Sequence, residues 1–238
     1  MLSFPKAILL DLDDTILALS ASADPCWQRV CERFAPRIEE LAPAKLFAAI
    51  KESRLWFWKD PERHRRGRLN LKRARREIVT VALSQLGIHA PALANELADT
   101  FASERAEALQ PLPGAIETLH HLRVQGIRLA LVTNGNAQDQ WRKIKKFELA
   151  PLFECIVIES EFGAGKPDER VYVHVLDQLN VNPQEAWMIG DNLEWDVSAP
   201  QRVGIFGIWI DHTGQGLPAT SSVRPDRIIT SLSELEFR

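Results

Sequence analysis

The sequence has few cysteines and no long apolar run. Its three cysteines, Cys26, Cys31 and Cys155, are odd in number and do not follow the spacing of metal ligands, so we interpret them as reduced and mostly structural thiols. No run of about 18 apolar residues is present, which excludes a conventional membrane-spanning helix. The first residues also lack the basic and then apolar pattern of a signal peptide, and we therefore expect a cytoplasmic protein.

The sequence also lacks an excess of positive charge. Lysine and arginine together number 29 against 32 aspartates and glutamates, and the formal net charge is -3. This balance gives no general attraction to nucleic acid or to an anionic membrane, so we expect neither as a partner. The length of 238 residues suits one large domain or a domain with a sizeable insertion, and the hydrophobic fraction of 45% is ordinary for a soluble globular protein.

Short apolar runs alternate with helical patterns over much of the chain, which predicts an α/β fold with a parallel sheet and helices on both faces. The predicted strands cover residues 7–10, 128–132, 155–158, 186–189, 205–210 and, at an edge, 227–230. Residues 18–109 interrupt this pattern, because they show helical periodicity and no convincing strand. We therefore predict a Rossmann-like α/β part formed by residues 1–17 and 110–238, with an all-helical insertion at residues 18–109.

Three carboxylates follow the first predicted strand directly: Asp11, Asp13 and Asp14. Two like charges about 4 Å apart repel by about 4 kcal/mol at an effective dielectric constant of about 20, and a divalent cation would remove that conflict. The carboxyl end of a strand is also where open α/β sheets bind ligands. The pattern favours a hard metal such as Mg²⁺, held by carboxylates and a substrate phosphate, over a solvated acidic loop that caps a helix.

Two further strand ends carry groups that suit an anion. Thr133 and Asn134 lie in a turn near a helix start, where a hydroxyl and backbone N–H groups bind anions, although the same residues suit a plain turn with an N-cap. Lys166 precedes Pro167 at a helix start, and it can reach a phosphate or remain a solvated lysine. Residues 163–168 are not a nucleotide P-loop, because the first glycine is missing and proline replaces the required serine or threonine.

The predicted strand at residues 186–189 is followed by two more aspartates. Asp191 comes just past the sheet, so it can join Asp11 around one cation. Asp196 lies five residues further on, near the start of a helix. Two interpretations of Asp196 stay open. It orients a ligand or Lys166 through a hydrogen bond without contacting the reacting atoms, or it is an acid at a helix N-terminus that the helix dipole stabilises.

These four strand ends resemble the motifs of the haloacid dehalogenase-like (HAD) hydrolase superfamily. The matching residues, in this order, are Asp11-Leu-Asp-Asp-Thr15, Thr133, Lys166-Pro167 and Gly190-Asp191 with Asp196. The resemblance implies a HAD-like catalytic core at residues 1–17 and 110–238. It also implies that the insertion at residues 18–109 is the helical cap of that superfamily.

The resemblance also implies roles for individual residues. Asp11 would be the nucleophile that forms an aspartyl-phosphate, and Asp13 would be the general acid and then the general base. The phosphoryl oxygens would be held by Thr133, Asn134 and Lys166. Mg²⁺ would be bound by Asp11, Asp191 and the backbone carbonyl of Asp13.

We therefore predict a Mg²⁺-dependent phosphatase that hydrolyses a phosphate monoester of a small metabolite, as a monomer or small homo-oligomer. Dehalogenases of the superfamily use one aspartate nucleophile without Mg²⁺ and lack the second aspartate, so Asp13 favours the phosphatase. A phosphotransferase or mutase shares the same motifs and stays an alternative. A haloacid dehalogenase is the other alternative within the superfamily.

Residues 60–76 of the insertion are densely basic. For residues 72–76 the periodicity favours a solvated helix face. Residues 64–68 are predicted to form a loop in which Gly67 gives the backbone freedom, and Arg65 and Arg68 are candidates to contact an anionic leaving group. An alternative outside enzyme chemistry is a module that binds nucleic acid or an acidic partner through this segment.

Overall fold

Among the residues that the computed structural model describes, 4–38 and 41–235, six parallel strands form one sheet in the order β3-β2-β1-β4-β5-β6. The strands are β1 (Ala7–Leu10), β2 (Arg128–Thr133), β3 (Cys155–Ile158), β4 (Ala186–Gly190), β5 (Phe206–Ile210) and β6 (Arg227–Ile229). The predicted parallel sheet, with its last strand at an edge, is confirmed.

The helices in chain order are α1 (Ala23–Phe34), α2 (Pro43–Lys59), α3 (Pro61–Leu69), α4 (Leu71–Gln85), α5 (Pro91–Ala108), α6 (Ala115–Val124), α7 (Ala137–Lys146), α8 (Glu159–Phe162), α9 (Glu169–Leu179) and α10 (Ala199–Arg202). A π-helical turn, Leu193–Ser198, leads into α10. The chain divides into a sheet unit, Met1–Ala18 with Gln110–Arg238, and a helical unit, Leu19–Leu109. The predicted α/β fold with a helical insertion is confirmed, while the roles of core and cap stay predictions.

Both faces of the sheet are buried. On one face Leu9 and Met188 pack with side chains of α9 such as Val175. Because side chains alternate along a strand, Ile8 and Leu10 point to the opposite face, and both are fully buried. Strands that are apolar at nearly every position are typical of a parallel sheet with a helical layer on each side.

The strand order brings the two main acidic motifs to one point. β1 pairs with β2 on one side and with β4 on the other, so the order of the chain reverses there. Open α/β sheets bind ligands in the crevice outside the strand ends at such a point. Leu10 is the register partner of Ile189, and the Asp11 N–H donates to the Ile189 carbonyl at 3.0 Å. The residues that follow β1 and β4 therefore lie side by side.

A tight turn follows β1. Asp14 has a φ of 57°, a left-handed conformation that aspartate tolerates better than most residues. Its N–H donates to the Leu17 carbonyl at 2.7 Å. The Ala18 N–H then donates to the Gln110 carbonyl at 2.9 Å. The two segments that connect the units therefore run next to each other at the edge of the sheet unit.

The helical unit has an apolar core of its own. Trp27 of α1 stacks on Phe101 of α5 with ring centroids 3.8 Å apart. Ile50 of α2 and Leu83 of α4 are buried in the same cluster. Apolar residues at helical spacing put one face of each helix into this core. No helix in the described part of the chain is long and apolar enough to cross a membrane.

The prediction of a loop at residues 64–68 is wrong, because these residues belong to α3. The Asp60 side chain caps this helix by accepting a hydrogen bond from the Arg63 N–H at 2.8 Å, and Pro61 occupies the first turn. Gly67 is buried, and a Cβ there would lie 2.5 Å from Phe57 Cε1. Glycine at this position therefore allows α3 to pack closely against α2, and it is not there to give the backbone conformational freedom.

We expect Gly67→Ala to lower the free energy of unfolding by about 1 kcal/mol, and by no more than about 2 kcal/mol. Overpacking against Phe57 costs about 1–3 kcal/mol, which the better helix propensity of alanine offsets by about 1 kcal/mol. Urea unfolding followed by circular dichroism measures the change. Arg65→Ala, an exposed change on the same helix, should stay within about 0.5 kcal/mol of wild type. A Gly67→Ala protein as stable as that control would contradict the close packing.

Candidate active site

A lysine ammonium lies inside the sheet unit between two carboxylates. Lys166 is 1% exposed, and its Nζ donates to Asp11 Oδ1 at 2.7 Å and to Asp196 Oδ1 at 2.6 Å. Burial alone would lower the pKa of Lys166, but the charges of Asp11 and Asp196 and the hydrogen bonds to them raise it above its ordinary value. Lys166 is therefore a fixed cation. The other oxygen of Asp11, Oδ2, is 3.5 Å from the Thr15 hydroxyl.

Asn134 fixes the backbone of Lys166. Its Oδ1 accepts a hydrogen bond from the Lys166 N–H at 2.7 Å, and its Nδ2 donates to the Lys166 carbonyl at 2.7 Å. Gly165 permits this approach, because a Cβ there would lie 2.7 Å from Asn134 Oδ1 and 2.6 Å from Glu159 Cδ. The Asn134 amide thus positions Lys166, and its contact with a substrate phosphate stays a prediction.

Asp196 reaches Lys166 because residue 190 is glycine. A Cβ at Gly190 would lie 2.2 Å from Asp196 Cγ, closer than two such atoms can approach. The second oxygen of Asp196 accepts a hydrogen bond from the Asn192 N–H at 3.0 Å. Of the two interpretations of Asp196, the orientation of Lys166 requires a direct contact between these side chains, and that contact is present.

Asp11, Asp191 and Asp196 form an acidic cluster that suits a hard cation. One carboxylate oxygen of each lies within 4.8 Å of the other two. Both oxygens of Asp196 accept short hydrogen bonds, from Lys166 at 2.6 Å and Asn192 at 3.0 Å, whereas Asp11 Oδ2 has a longer contact of 3.5 Å with Thr15, so Asp11 and Asp191 are the better placed ligands. A donor set made of oxygens alone fits Mg²⁺, which proteins hold by one or two carboxylates together with a substrate phosphate.

The Asp13 carboxylate contacts a helix that sequence reasoning did not connect with the site. Lys143 Nζ donates to Asp13 Oδ1 at 2.7 Å and to Oδ2 at 2.6 Å. Gln140 Nε2 donates to Asp13 Oδ2 at 3.1 Å and to Thr133 Oγ1 at 2.5 Å. Gln140 and Lys143 lie on α7. Their only signal in the sequence is a three-residue spacing in a helix that follows Thr133, which is too common to identify them. The metal contact of the Asp13 backbone carbonyl stays a prediction.

The structure brings most predicted site residues into the sheet unit and leaves two in the helical unit. Those in the sheet unit are Asp11, Asp13, Thr133, Asn134, Lys166, Asp191 and Asp196. Arg65 and Arg68 lie on α3. Arg65 is exposed, and Arg68 Nη1 lies 3.4 Å from His64 Nδ1. Their role toward a substrate stays a prediction.

Comparison with known families decides what kind of protein carries this arrangement. A family model described as haloacid dehalogenase-like hydrolase matches residues 5–204, most of the chain. The chain belongs to the haloacid dehalogenase-like hydrolases. The predicted family is thereby confirmed, and the predicted enzyme class is confirmed as a hydrolase of that family.

Two relatives of this HAD-like hydrolase are phosphatases. A phosphoserine phosphatase of Thermus thermophilus is 32% identical over 252 aligned positions that cover 97% of each chain. A glyceraldehyde 3-phosphate phosphatase of Methanopyrus kandleri is 28% identical over 207 positions, which cover 86% of this chain and 83% of the relative. Among solved structures, the putative HAD-hydrolase YfnB of Bacillus subtilis, bound to magnesium, matches with a TM-score of 0.76. It is 23% identical and covers 98% of this chain and 97% of its own, and it shows the fold.

Two carboxylates of this HAD-like site, Asp11 and Asp191, have raised pKa values while no cation neutralises them. Burial raises the pKa of Asp11, Lys166 lowers it, and the charges of Asp196 and Asp13 raise it, to about 7. Burial and then the charges of Asp11, Asp196 and Asp14 raise the pKa of Asp191 to about 8. A bound cation reverses this balance, because metal ligands must be deprotonated. Binding of a divalent ion at Asp11 and Asp191 would therefore be coupled to the release of protons.

We expect the contribution of Asp191 to the free energy of unfolding of the metal-free protein to fall as pH rises from about 4 to about 8. The folded-state pKa of Asp191 is raised from 3.8 to about 8, so the stabilisation that its proton provides is complete below pH 4 and is lost as pH approaches 8. One such group contributes at most about 1.4 kcal/mol per pH unit. Asp191→Asn resembles the protonated form, and it should flatten the profile measured by urea unfolding in EDTA. An unchanged slope in that variant would contradict the assignment.

Proposed function

We propose that this chain is a Mg²⁺-dependent phosphoric monoester hydrolase that acts on a small phosphorylated metabolite through an aspartyl-phosphate on Asp11. The observation that carries the proposal is the buried Lys166, whose Nζ binds Asp11 Oδ1 at 2.7 Å, in a site where one oxygen of Asp11 lies within 4.8 Å of oxygens of Asp191 and Asp196. A carboxylate held in this way is a nucleophile with a fixed orientation. The nearby ammonium and acidic cluster suit a group that carries several charged oxygens.

In the first half-reaction, Asp11 Oδ2 attacks phosphorus as the bond from phosphorus to the leaving oxygen breaks. Asp13 gives that oxygen a proton, so the alcohol leaves uncharged. Lys166 and the Thr133 hydroxyl donate hydrogen bonds to the phosphoryl oxygens as charge builds on them. The acyl phosphate on Asp11 then stores the phosphoryl group.

In the second half-reaction, a water molecule attacks phosphorus while Asp13 takes its proton. The bond between phosphorus and Asp11 breaks, which releases inorganic phosphate and returns both aspartates to their starting states. Asp11, Asp191 and the Asp13 backbone carbonyl would hold Mg²⁺. When bound, that ion supplies positive charge for the phosphoryl oxygens and neutralises the acidic cluster.

The relatives support a small metabolite as the substrate, because their names specify phosphoserine and glyceraldehyde 3-phosphate. A phosphotransferase or mutase would use the same Asp11 chemistry with a hydroxyl acceptor in place of water. A haloacid dehalogenase would release halide without Mg²⁺. Asp13 favours phosphoryl chemistry, because an ester oxygen needs a proton on departure whereas a halide does not.

The proposal includes a cytoplasmic location and a monomer or small homo-oligomer. It includes no nucleic acid or membrane partner, in keeping with the net charge of -3. The basic residues of the helical unit weaken the alternative of a nucleic-acid module, because several already pair with acids of the same unit. Arg66 lies 3.0 Å from Glu77, and Arg76 lies 2.5 Å from Asp99.

Phosphate release from a panel of metabolite monoesters and p-nitrophenyl phosphate, with and without Mg²⁺, tests the proposal. We expect turnover with Mg²⁺ and none in excess EDTA. Full activity in EDTA would refute the metal requirement. Halide release from a 2-haloacid without metal would favour the dehalogenase, and transfer of phosphate to an added alcohol would favour the phosphotransferase.

The matched variant in the same assay is Asp11→Asn. Asparagine keeps the shape of the side chain and a partner for Lys166, but it is neither an anion nor a nucleophile, so we expect turnover to be lost while the fold is kept. Asp13→Asn should slow turnover by about 10²–10⁴-fold, the usual contribution of general acid–base catalysis. Wild-type rates in Asp11→Asn would end the aspartyl-phosphate mechanism.

We further propose that the helical unit acts as the cap and selects the leaving group through the basic face of α3. The groups that contact the phosphoryl oxygens do not distinguish one ester from another, so discrimination needs other residues, and the arginines of the helical unit are the candidates. We expect Arg65→Ala or Arg68→Ala to reduce kcat/KM for the best metabolite of the panel by about 10-fold more than for p-nitrophenyl phosphate. Arg73→Ala, an exposed arginine of α4, is the control. Equal losses of kcat/KM on both esters would indicate that the α3 arginines do not select the leaving group and only face solvent.

A further inference from the structure

α7 presents two polar side chains on the face next to the site. The helix begins after Asn136, whose side chain accepts hydrogen bonds from the N–H groups of Gln138 and Asp139 at 2.9 and 3.4 Å. Gln140 and Lys143 are three residues apart, so they lie on the same face. Gln140 is 2% exposed, and an amide buried to that extent needs hydrogen-bond partners inside the protein.

The partners of Gln140 are groups of the site itself. Its Nε2 lies 2.5 Å from Thr133 Oγ1, 3.1 Å from Asp13 Oδ2 and 3.2 Å from the Asn134 carbonyl oxygen. A carboxylate and a carbonyl can only accept hydrogen bonds, so the nitrogen of this amide must face them. Because Gln140 donates to the Thr133 oxygen, the hydroxyl hydrogen of Thr133 is directed elsewhere and is available to a phosphoryl oxygen.

Lys143 binds the Asp13 carboxylate by both oxygens, at 2.7 and 2.6 Å. The Lys143 side chain is 13% exposed and that of Asp13 23%, so water has little access to the pair. Lys145, two residues further along α7, is exposed. Exposed ion pairs contribute little to stability and seldom fix a side chain. Two short contacts in a partly buried pocket do restrict a side chain. The Asp13 carboxylate therefore cannot turn away from Lys143 while both contacts persist.

We propose that Lys143, together with Gln140, is a positioning residue that keeps the Asp13 carboxyl aimed at the leaving-group oxygen. This inference rests on the proposed phosphatase function. The proton moves from one Asp13 oxygen to the leaving oxygen as the ester bond to phosphorus breaks and the bond from phosphorus to Asp11 forms. The Lys143 ammonium, which contacts both Asp13 oxygens in the structure, gives up the oxygen that carries the proton and keeps its contact with the other one, so the carboxyl keeps its orientation. Proton transfer needs that orientation within hydrogen-bond reach of the reacting oxygen.

The test is how kcat/KM depends on the leaving group in Lys143→Met. Protonation of the leaving oxygen matters most for an alkyl phosphate such as glycerol 2-phosphate and least for p-nitrophenyl phosphate, whose phenolate departs readily. We expect the loss on the alkyl ester to exceed the loss on the aryl ester by about 10-fold or more, a part of the 10²–10⁴ that general acid catalysis supplies. Lys143→Arg keeps the cation and should recover part of the loss. Lys145→Met is the matched control and should behave as wild type.

Equal losses on both esters, or none, in Lys143→Met would overturn the positioning role. Thermal unfolding checks that each variant is folded, and Lys143→Gln, which also removes the cation, provides the same comparison if Lys143→Met does not fold. A wild-type protein that hydrolyses neither ester with Mg²⁺ would refute the proposed function and this inference with it. That outcome is distinct from failure of the inference alone, in which the wild type hydrolyses both.

Discussion

The sheet unit depends on one buried positive charge. Moving an ammonium from water into a protein costs several kcal/mol even after relaxation, and only well-placed opposite charges offset that cost. Lys166 has two such charges, Asp11 and Asp196, each in hydrogen-bond contact. The three side chains follow β1, precede α9 and follow β4, so the ion pairs hold three distant parts of the chain in register. This arrangement is sterically possible because residues 165 and 190 are glycines, and a Cβ at either position would clash with a neighbouring side chain.

The same charges determine what the site can bind. When Asp11, Asp191 and Asp196 are ionised, Lys166 leaves the four groups with a net charge of -2. A phosphate monoester is itself an anion, so the site in this state would repel such a substrate. A divalent cation would remove the repulsion and let Asp11, the proposed nucleophile, approach the phosphoryl group. The proposed dependence on a metal therefore fits a site in which two buried carboxylates and one partly buried carboxylate surround a single lysine.

The strands and the acidic motifs were predictable because each depends on local pattern alone. Apolar runs show the buried strands directly, and carboxylates just past a strand have no packing role there. The helix α3 was missed because Gly67 and a dense run of arginines suggest a loop, although Asp60-Pro61 is a helix-start signal. Gln140 and Lys143 could not be found from the sequence, because their contact with Asp13 exists only when α7 returns to the end of β1.

The position of β1 in the sheet has a consequence for synthesis on the ribosome. Its two partners, β2 and β4, begin at Arg128 and Ala186, after the entire helical unit. At about 5–20 residues per second, translation takes on the order of ten seconds to pass from β1 to β2. During that interval the four apolar residues of β1, buried in the finished sheet, have no strand to pair with. A chain released before β4 carries Asp11, the proposed nucleophile, and the whole helical unit, yet it lacks Asp191 and Asp196 and leaves one edge of β1 without its partner strand.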